Sequence, residues 1–163
     1  MTPVANAKLP RRSKNRQRLG GDTPKTLNTY EEAMQWLQGH YNLEKNLGSD
    51  EAAPPSLDRM TVLMELLGNP HRDIPAIHIT GTNGKGSTSR MLVELIGATG
   101  LDVGSYTSPH IDRVNDRIMI ANQPLDDESM TRAISEIAEV EQWVIEATGE
   151  PPSYFEILCA AAY

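Results

Sequence analysis

Residues 76–92 read AIHITGTNGKGSTSRML and decide the fold of the 163-residue chain. The apolar run at 76–79 predicts a buried strand, the three glycines that follow predict a loop, and the residues after them predict a helix. A strand, a glycine loop and a helix in this order place backbone N–H groups and the positive helix end around one point. The segment therefore predicts a phosphate-binding loop.

The side chains of this loop suit a nucleotide. Lys85 supplies a mobile cation for the outer phosphates, and a hydroxyl at Ser87 or Thr88 can face a magnesium ion. The sequence departs from the strict pattern GxxxxGK[ST], because Ile79 stands at its first glycine and Gly86 follows the lysine. The structural alternative is an ordinary turn with an exposed lysine.

The elements around the loop predict an α/β fold. The stretch DVGSYTSP, residues 102–109, reads as a second strand, so strand, helix and strand would form a parallel βαβ unit. The predicted fold class is a P-loop-type parallel sheet flanked by helices. DRIMIANQPL, residues 116–125, predicts a further short strand and turn.

Four other helices are predicted from apolar periodicity. The first covers about 30–40, with Thr29 and Glu32 at capping-box spacing, and the second follows Ser56 and stops at Gly68. A long acidic helix starts near residue 126 or 127, and a last one begins at Ser153. The expected buried stripes are Leu57, Met60, Leu63, Met64 and Leu67 in the second helix and Met130, Ala133, Ile134, Ile137, Val140 and Val144 in the long one.

Charge divides the chain into two parts. Residues 1–28 carry seven Lys or Arg against one Asp, whereas residues 29–163 carry eight against 21 Asp or Glu. The first part is predicted to be a disordered basic arm, and the acidic second part argues against a nucleic-acid surface. No run of eighteen apolar residues exists, which argues against a membrane span. Cys159, the only cysteine, fits a reducing cytoplasm and a small core position.

Several motifs in a fixed order carry a resemblance to a known family. GTNGKGST at 81–88, YTSPH at 106–110 and SYFE at 153–156, together with TYEEAMQWL, SLDRM and DRVNDRIMI, span roughly residues 29–163. With these motifs the chain closely resembles the N-terminal part of folylpolyglutamate synthase/dihydrofolate synthase, in the Mur ligase superfamily. The resemblance implies an incomplete Mur-ligase ATP-binding domain at 29–163, truncated, with the C-terminal domain absent.

The resemblance also implies a reaction and its participants. ATP would phosphorylate the carboxylate of dihydropteroate or a folate, and L-glutamate would attack the acyl phosphate to form an amide. ATP and Mg²⁺ are the implied cofactors. The protein is expected to be cytoplasmic and, if full length, monomeric. By motif, Lys85 would be catalytic, Ser108 and Glu156 would bind the metal, and the nucleotide would contact Thr82, Asn83, Gly84, Lys85, Gly86 and Ser87.

Several alternatives stay open at this point. Ser108 before a proline can simply start a turn, and Glu156 can be the capping partner of Ser153. Arg113 and Arg117 either bind an anionic folate or phosphate or lie in a solvated loop. The rival functions are a truncated, non-catalytic nucleotide-binding module and a Mur-type peptidoglycan-precursor ligase.

Overall fold

The computed structural model of the chain describes residues 25–42, 44 and 57–163. Most of the predicted basic arm and the predicted N-cap Ser56 lie outside these residues. Leu27, inside the arm's predicted boundary, is buried, and its N–H donates to Ser135 Oγ at 3.0 Å. In the described part no helix is long and apolar enough to cross a membrane. The helices are α1 (Tyr30–Gln38), α2 (Asp58–Leu66), α3 (Lys85–Gly97), α4 (Asp127–Thr148) and α5 (Tyr154–Ala161).

Four of these helices, α1, α2, α4 and α5, form what we call the helical body. The predicted capping box is present at α1, where Thr29 and Glu32 each accept a backbone N–H of the other. α4 begins with the Asp126 carboxylate accepting the Ser129 N–H at 2.7 Å and ends at Gly149, whose φ is +83°. These devices satisfy backbone groups that a helix end leaves unpaired.

The core of the helical body is apolar and closed to solvent. The predicted stripe of α4 is confirmed at Met130, Ile134, Ile137 and Val144, which are all buried. In α2 the stripe is confirmed at Leu63 and Met64 but is wrong at Leu57, which is 79% exposed because it is the N-cap rather than a helical residue. The core is completed by Leu27, Ala33, Trp36, Leu37, Ile118, Ala138, Tyr154, Ile157, Leu158 and Ala160.

The sheet has three short strands, β1 (Gly104–Tyr106), β2 (Ile118–Ile120) and β3 (Gln123–Pro124), in the order β1-β2-β3. Both pairings are antiparallel, with Gly104 opposite Ile120. Ala121 and Asn122 connect β2 to β3, and both have positive φ, as the central residues of a type I′ hairpin turn do.

The predicted parallel βαβ unit is not formed by the described residues, whose sheet is antiparallel. Residues 76–80 form no strand, Ile77 is 66% exposed, and His78, expected inside a buried strand, is also exposed. A strand exists through hydrogen bonds to a neighbour. Residues 102–109 contribute β1, which pairs with β2 in the antiparallel sense, and no described strand pairs with residues 76–80.

Candidate nucleotide and metal site

The glycine loop, residues 81–87, leads directly into α3. Gly84 is the N-cap of the helix, and its φ of +78° is a conformation that favours glycine. The first helical hydrogen bond runs from the Thr88 N–H to the Gly84 carbonyl at 2.9 Å. The N–H groups of residues 85–87 therefore have no backbone partner in the described chain, and they lie at the positive end of the helix dipole.

The side chain of Lys85 folds back over this loop. Its ammonium group donates to the carbonyl of Gly81 at 2.5 Å and to that of Thr82 at 3.3 Å. All residues from 81 to 88 are exposed, and a Cβ added to Gly86 would meet no described atom within 4 Å. The exposed residues include all the predicted nucleotide contacts, which are Thr82, Asn83, Gly84, Lys85, Gly86 and Ser87. The space in front of the loop is open, and the Lys85 ammonium lies beside it.

The second predicted region is the Ser108 segment, residues 107–110, which follows β1. Ser108 Oγ donates to Glu44 Oε1 and accepts from Arg117 Nη1 at 3.3 Å. Arg117 also donates through Nε to His110 Nδ1 at 3.0 Å, and its carbonyl accepts the Thr107 N–H at 2.9 Å. Arg117 therefore contacts this segment at Thr107, Ser108 and His110.

Arg117 is buried, which corrects both sequence-based expectations for it. Its side chain is 1% exposed, and it forms a two-pronged ion pair with Glu44, with Nη2 to Oε2 at 2.6 Å and Nη1 to Oε1 at 3.1 Å. The guanidinium carbon lies 5.3 Å from the centre of the Tyr154 ring. The hydrogen bond from Arg117 lowers the pKa of the Glu44 carboxyl, so this carboxylate is ionised at neutral pH.

Sequence reasoning missed this pair for a physical reason. Arg117 precedes the apolar run of β2, where a charged residue normally marks the solvated end of a strand, and Glu44 lies far away in the chain. Arg113, the other arginine of this region, meets the expectation of exposure: its side chain is 52% exposed and pairs with Asp127 at 2.7 Å.

The second predicted metal ligand, Glu156, is at the third position of α5. The capping box is confirmed, because Ser153 Oγ accepts the Glu156 N–H and Glu156 Oε2 accepts the Ser153 N–H at 2.7 Å. Arg59 Nε donates to the same oxygen at 3.0 Å, and Arg59 Nη1 reaches Glu150 at 2.5 Å. Oε1 of Glu156 accepts no hydrogen bond from the described residues.

One ring contact joins the strand that precedes Ser108 to the helix that carries Glu156. The ring of Tyr106, two residues before Ser108, lies 5.9 Å from the ring of Phe155, next to Glu156. The glycine loop is joined to this region less directly: the Asn122 amide in the β2–β3 turn donates to Glu94 of α3 at 2.8 Å. No hydrogen bond or ion pair among the described residues joins Ser108 or Glu156 to the loop.

The donor atoms of Ser108 and Glu156 are of a kind that suits Mg²⁺. Ser108 offers a hydroxyl oxygen and Glu156 a carboxylate oxygen, which are ligands that this hard cation prefers. No group of three or more His, Cys, Asp or Glu within the described ranges could hold a metal alone. Mg²⁺ commonly takes only one or two protein ligands and completes its shell with water and substrate phosphates.

Cys159, predicted to be a small core residue, lies beside the apolar core rather than among its buried residues. The residue lies in α5, half-buried, and burial raises the pKa of its thiol. A thiol that stays protonated is a poor nucleophile.

Comparison with known proteins supports the resemblance found in the motifs. No family model matches the chain. It is 33% identical over 134 residues to the dihydrofolate synthase/folylpolyglutamate synthase of Bacillus subtilis, covering 82% of this chain and 29% of that protein.

Two solved structures are similar as well. The structure of an FPGS–AMPPCP–folate complex matches with a TM-score of 0.72 and 32% identity, over 83% of this chain and 32% of that one. Folylpolyglutamate synthase of Mycobacterium tuberculosis complexed with ADP and AMPPCP matches with a TM-score of 0.70 and 32% identity, over 82% and 27%. The chain spans less than a third of each of these three proteins. Over most of its length it is therefore similar, in sequence and in structure, to the N-terminal part of the folylpolyglutamate and dihydrofolate synthases.

Proposed function

We propose that the protein is an ATP-dependent ligase that joins L-glutamate to dihydropteroate or a folate through an acyl phosphate. The observation that carries this proposal is the glycine loop: three N–H groups that have no backbone partner among the described residues lie with the Lys85 ammonium at the positive end of α3. The loop belongs to a chain that is similar to folylpolyglutamate synthases, two of which are described as complexes with AMPPCP.

The glycine loop would hold the ATP phosphates. Lys85 now donates to two loop carbonyls, and these bonds can be exchanged for stronger charge-assisted bonds to phosphate oxygens. In phosphoryl transfer most of the work is positioning and charge neutralisation, because two anions must approach each other. Lys85 is thus assigned the catalytic role, and the binding role belongs to Thr82, Asn83, Gly84, Lys85, Gly86 and Ser87.

Ser108 and Glu156 would hold Mg²⁺. When bound, the ion would neutralise charge on the phosphate oxygens. Support comes from the oxygen donors themselves and from the arrangement around Glu156. Within the part of the chain that the structure describes, Arg59 and the Ser153 N–H bond to one of its two oxygens, which leaves the other to a cation.

We also propose that residues 76–80 form a strand of a parallel sheet in the complete ATP-binding domain that the resemblance implies. The exposure of apolar side chains supports this assignment, since Ile77 before the loop and Met91 and Leu95 on α3 are each about two-thirds exposed. Such side chains would be covered if further strands paired beside them. The cytoplasmic location and the monomeric state stay predictions.

The test is nucleotide turnover by the full-length protein. We expect phosphate release from ATP only when Mg²⁺, dihydropteroate or a folate, and L-glutamate are all present, with an amide product that mass spectrometry can identify. Nucleotide binding without turnover would instead favour the non-catalytic module. Turnover with a nucleotide-sugar peptide and not with a folate would favour the Mur-type ligase.

A further inference from the structure

We propose that Glu44, held in place by Arg117, is a positioning residue that aims the Ser108 oxygen at the bound cation. This inference rests on the proposed function, because it takes Ser108 to be a metal ligand. It assigns a role to a residue that no motif in the sequence singled out. A chain of contacts runs from the buried Arg117, through the Glu44 carboxylate, to the Ser108 hydroxyl group.

The direction of the Ser108 hydroxyl hydrogen is set by its hydrogen bond to Glu44. A serine hydroxyl has one hydrogen to donate and two lone pairs. Ser108 donates that hydrogen to Glu44 Oε1, so the hydrogen is directed away from any ligand on the other side of the oxygen. The contact from Arg117 to Ser108 Oγ is long, at 3.3 Å, and it uses one lone pair at most. Ser108 is exposed, so the other lone pair is accessible to a cation.

The orientation of the Glu44 carboxylate is fixed by Arg117. Arg117 donates hydrogen bonds to both oxygens of the carboxylate. The orientation of Arg117 is itself set by the hydrogen bond from its Nε to His110 and by contact with the Tyr154 ring. A planar guanidinium with all these partners has little rotational freedom. The orientation of Glu44, and therefore of the Ser108 hydrogen, follows from that of a side chain that is 1% exposed.

The contacts of Glu44 argue against it as the principal ligand of the cation. Both of its oxygens already accept charge-assisted hydrogen bonds from Arg117, so a cation bound to Glu44 would lie beside a guanidinium of the same sign. Outer partners of this kind orient the atoms that bind a metal, and their loss typically weakens metal affinity by about 10- to 100-fold. The same magnitude is expected for the loss of Glu44.

The experiment measures Mn²⁺, as a stand-in for Mg²⁺, binding to the full-length protein with AMPPCP, from the electron paramagnetic resonance signal of free Mn²⁺. Glu44→Gln replaces one of the two oxygens that Arg117 holds by an NH₂ group, so the side chain loses its fixed orientation. We expect affinity for Mn²⁺ to fall by about 10- to 100-fold, while affinity for AMPPCP in EDTA is unchanged. A purely structural ion pair would change both together or neither. Glu141→Gln is the matched control, since Glu141 is also partly exposed and pairs with His40 at 2.6 Å; it should change neither.

A second variant keeps the inference testable if Glu44→Gln does not fold. Glu44→Asp keeps the negative charge beside buried Arg117 but withdraws the carboxylate by one methylene from Ser108, and it should also weaken Mn²⁺ binding. Normal Mn²⁺ affinity in Glu44→Asp overturns the inference, whether or not Glu44→Gln folds. Ser108→Ala separates the two claims. If it weakens Mn²⁺ binding while both Glu44 variants do not, only the positioning role falls; if it has no effect, the metal role proposed for Ser108 falls as well.

Discussion

The helical body and the segment formed by the glycine loop and α3 are packed very differently. In the body, Leu37, Leu63 and Ile134 have no exposed surface, and each belongs to one continuous core. In α3 only Val93 is buried, and it is not part of that core, whereas Met91 and Leu95 face solvent.

The difference separates the part of the chain that supplies stability from the part that carries the binding motif. Burial of apolar surface is the main favourable contribution to folding, and it is concentrated in the body. Phosphate binding by a glycine loop depends instead on exposed N–H groups and a cation. Changes in the body should therefore alter the free energy of unfolding, and changes in the loop should alter binding.

The largest effect on stability is expected in the body. Ile134→Ala removes a side chain with no exposed surface from the middle of α4, and we expect the free energy of unfolding to fall by about 2–5 kcal/mol. Chemical denaturation followed by circular dichroism measures this loss.

Leu95→Ala on α3 is the matched control for that substitution. In the 163-residue chain, in which both variants are compared, its side chain is 67% exposed, and surface changes usually alter stability by no more than about 0.5 kcal/mol. Equal losses in the two variants would mean that α3 is as tightly packed in solution as α4, which would contradict the comparison.

A smaller effect is expected where charges tie α2 to α5. Arg59→Gln removes a partly buried bridge to Glu150 and Glu156, whose side chains are 55% and 12% exposed. We expect a loss of about 1–3 kcal/mol, since the Glu156 carboxylate would keep only its backbone partner. The same denaturation experiment measures it.

Arg113→Gln is the control for Arg59. Both partners in the Arg113–Asp127 pair are about half exposed, so solvent and salt screen their attraction. Its substitution should cost clearly less than that of Arg59. If the order were reversed, burial would not be what sets the strength of these ion pairs.

The helices of the body could be predicted from sequence because their signals are local. Apolar periodicity located α4 and its buried stripe, and the capping boxes at Thr29 and Ser153 are present as predicted. The sheet could not be predicted in the same way. The apolar run at 76–79 has the composition of a buried strand, but pairing depends on distant neighbours, and β1 pairs with β2 instead.

The candidate site shows the same limit. A motif carries residue types at fixed spacing, so it could indicate Lys85, Ser108 and Glu156. It could not reveal which residues surround them. Glu44 reaches Ser108 across 64 positions, and Arg59 reaches Glu156 across 97. These contacts arise only when segments that are distant in the chain have packed together.

The most direct test of the central claim combines binding and stability in one variant, Lys85→Ala. Because a charge-assisted hydrogen bond contributes about 1.5–3 kcal/mol, the full-length protein should lose roughly tenfold or more in affinity for AMPPCP with Mg²⁺. Its unfolding midpoint should stay that of the wild type, and Arg90→Ala, which removes another exposed cation of α3, should bind AMPPCP normally. Unchanged affinity in Lys85→Ala, or a loss of stability that explains the weaker binding, would contradict the account.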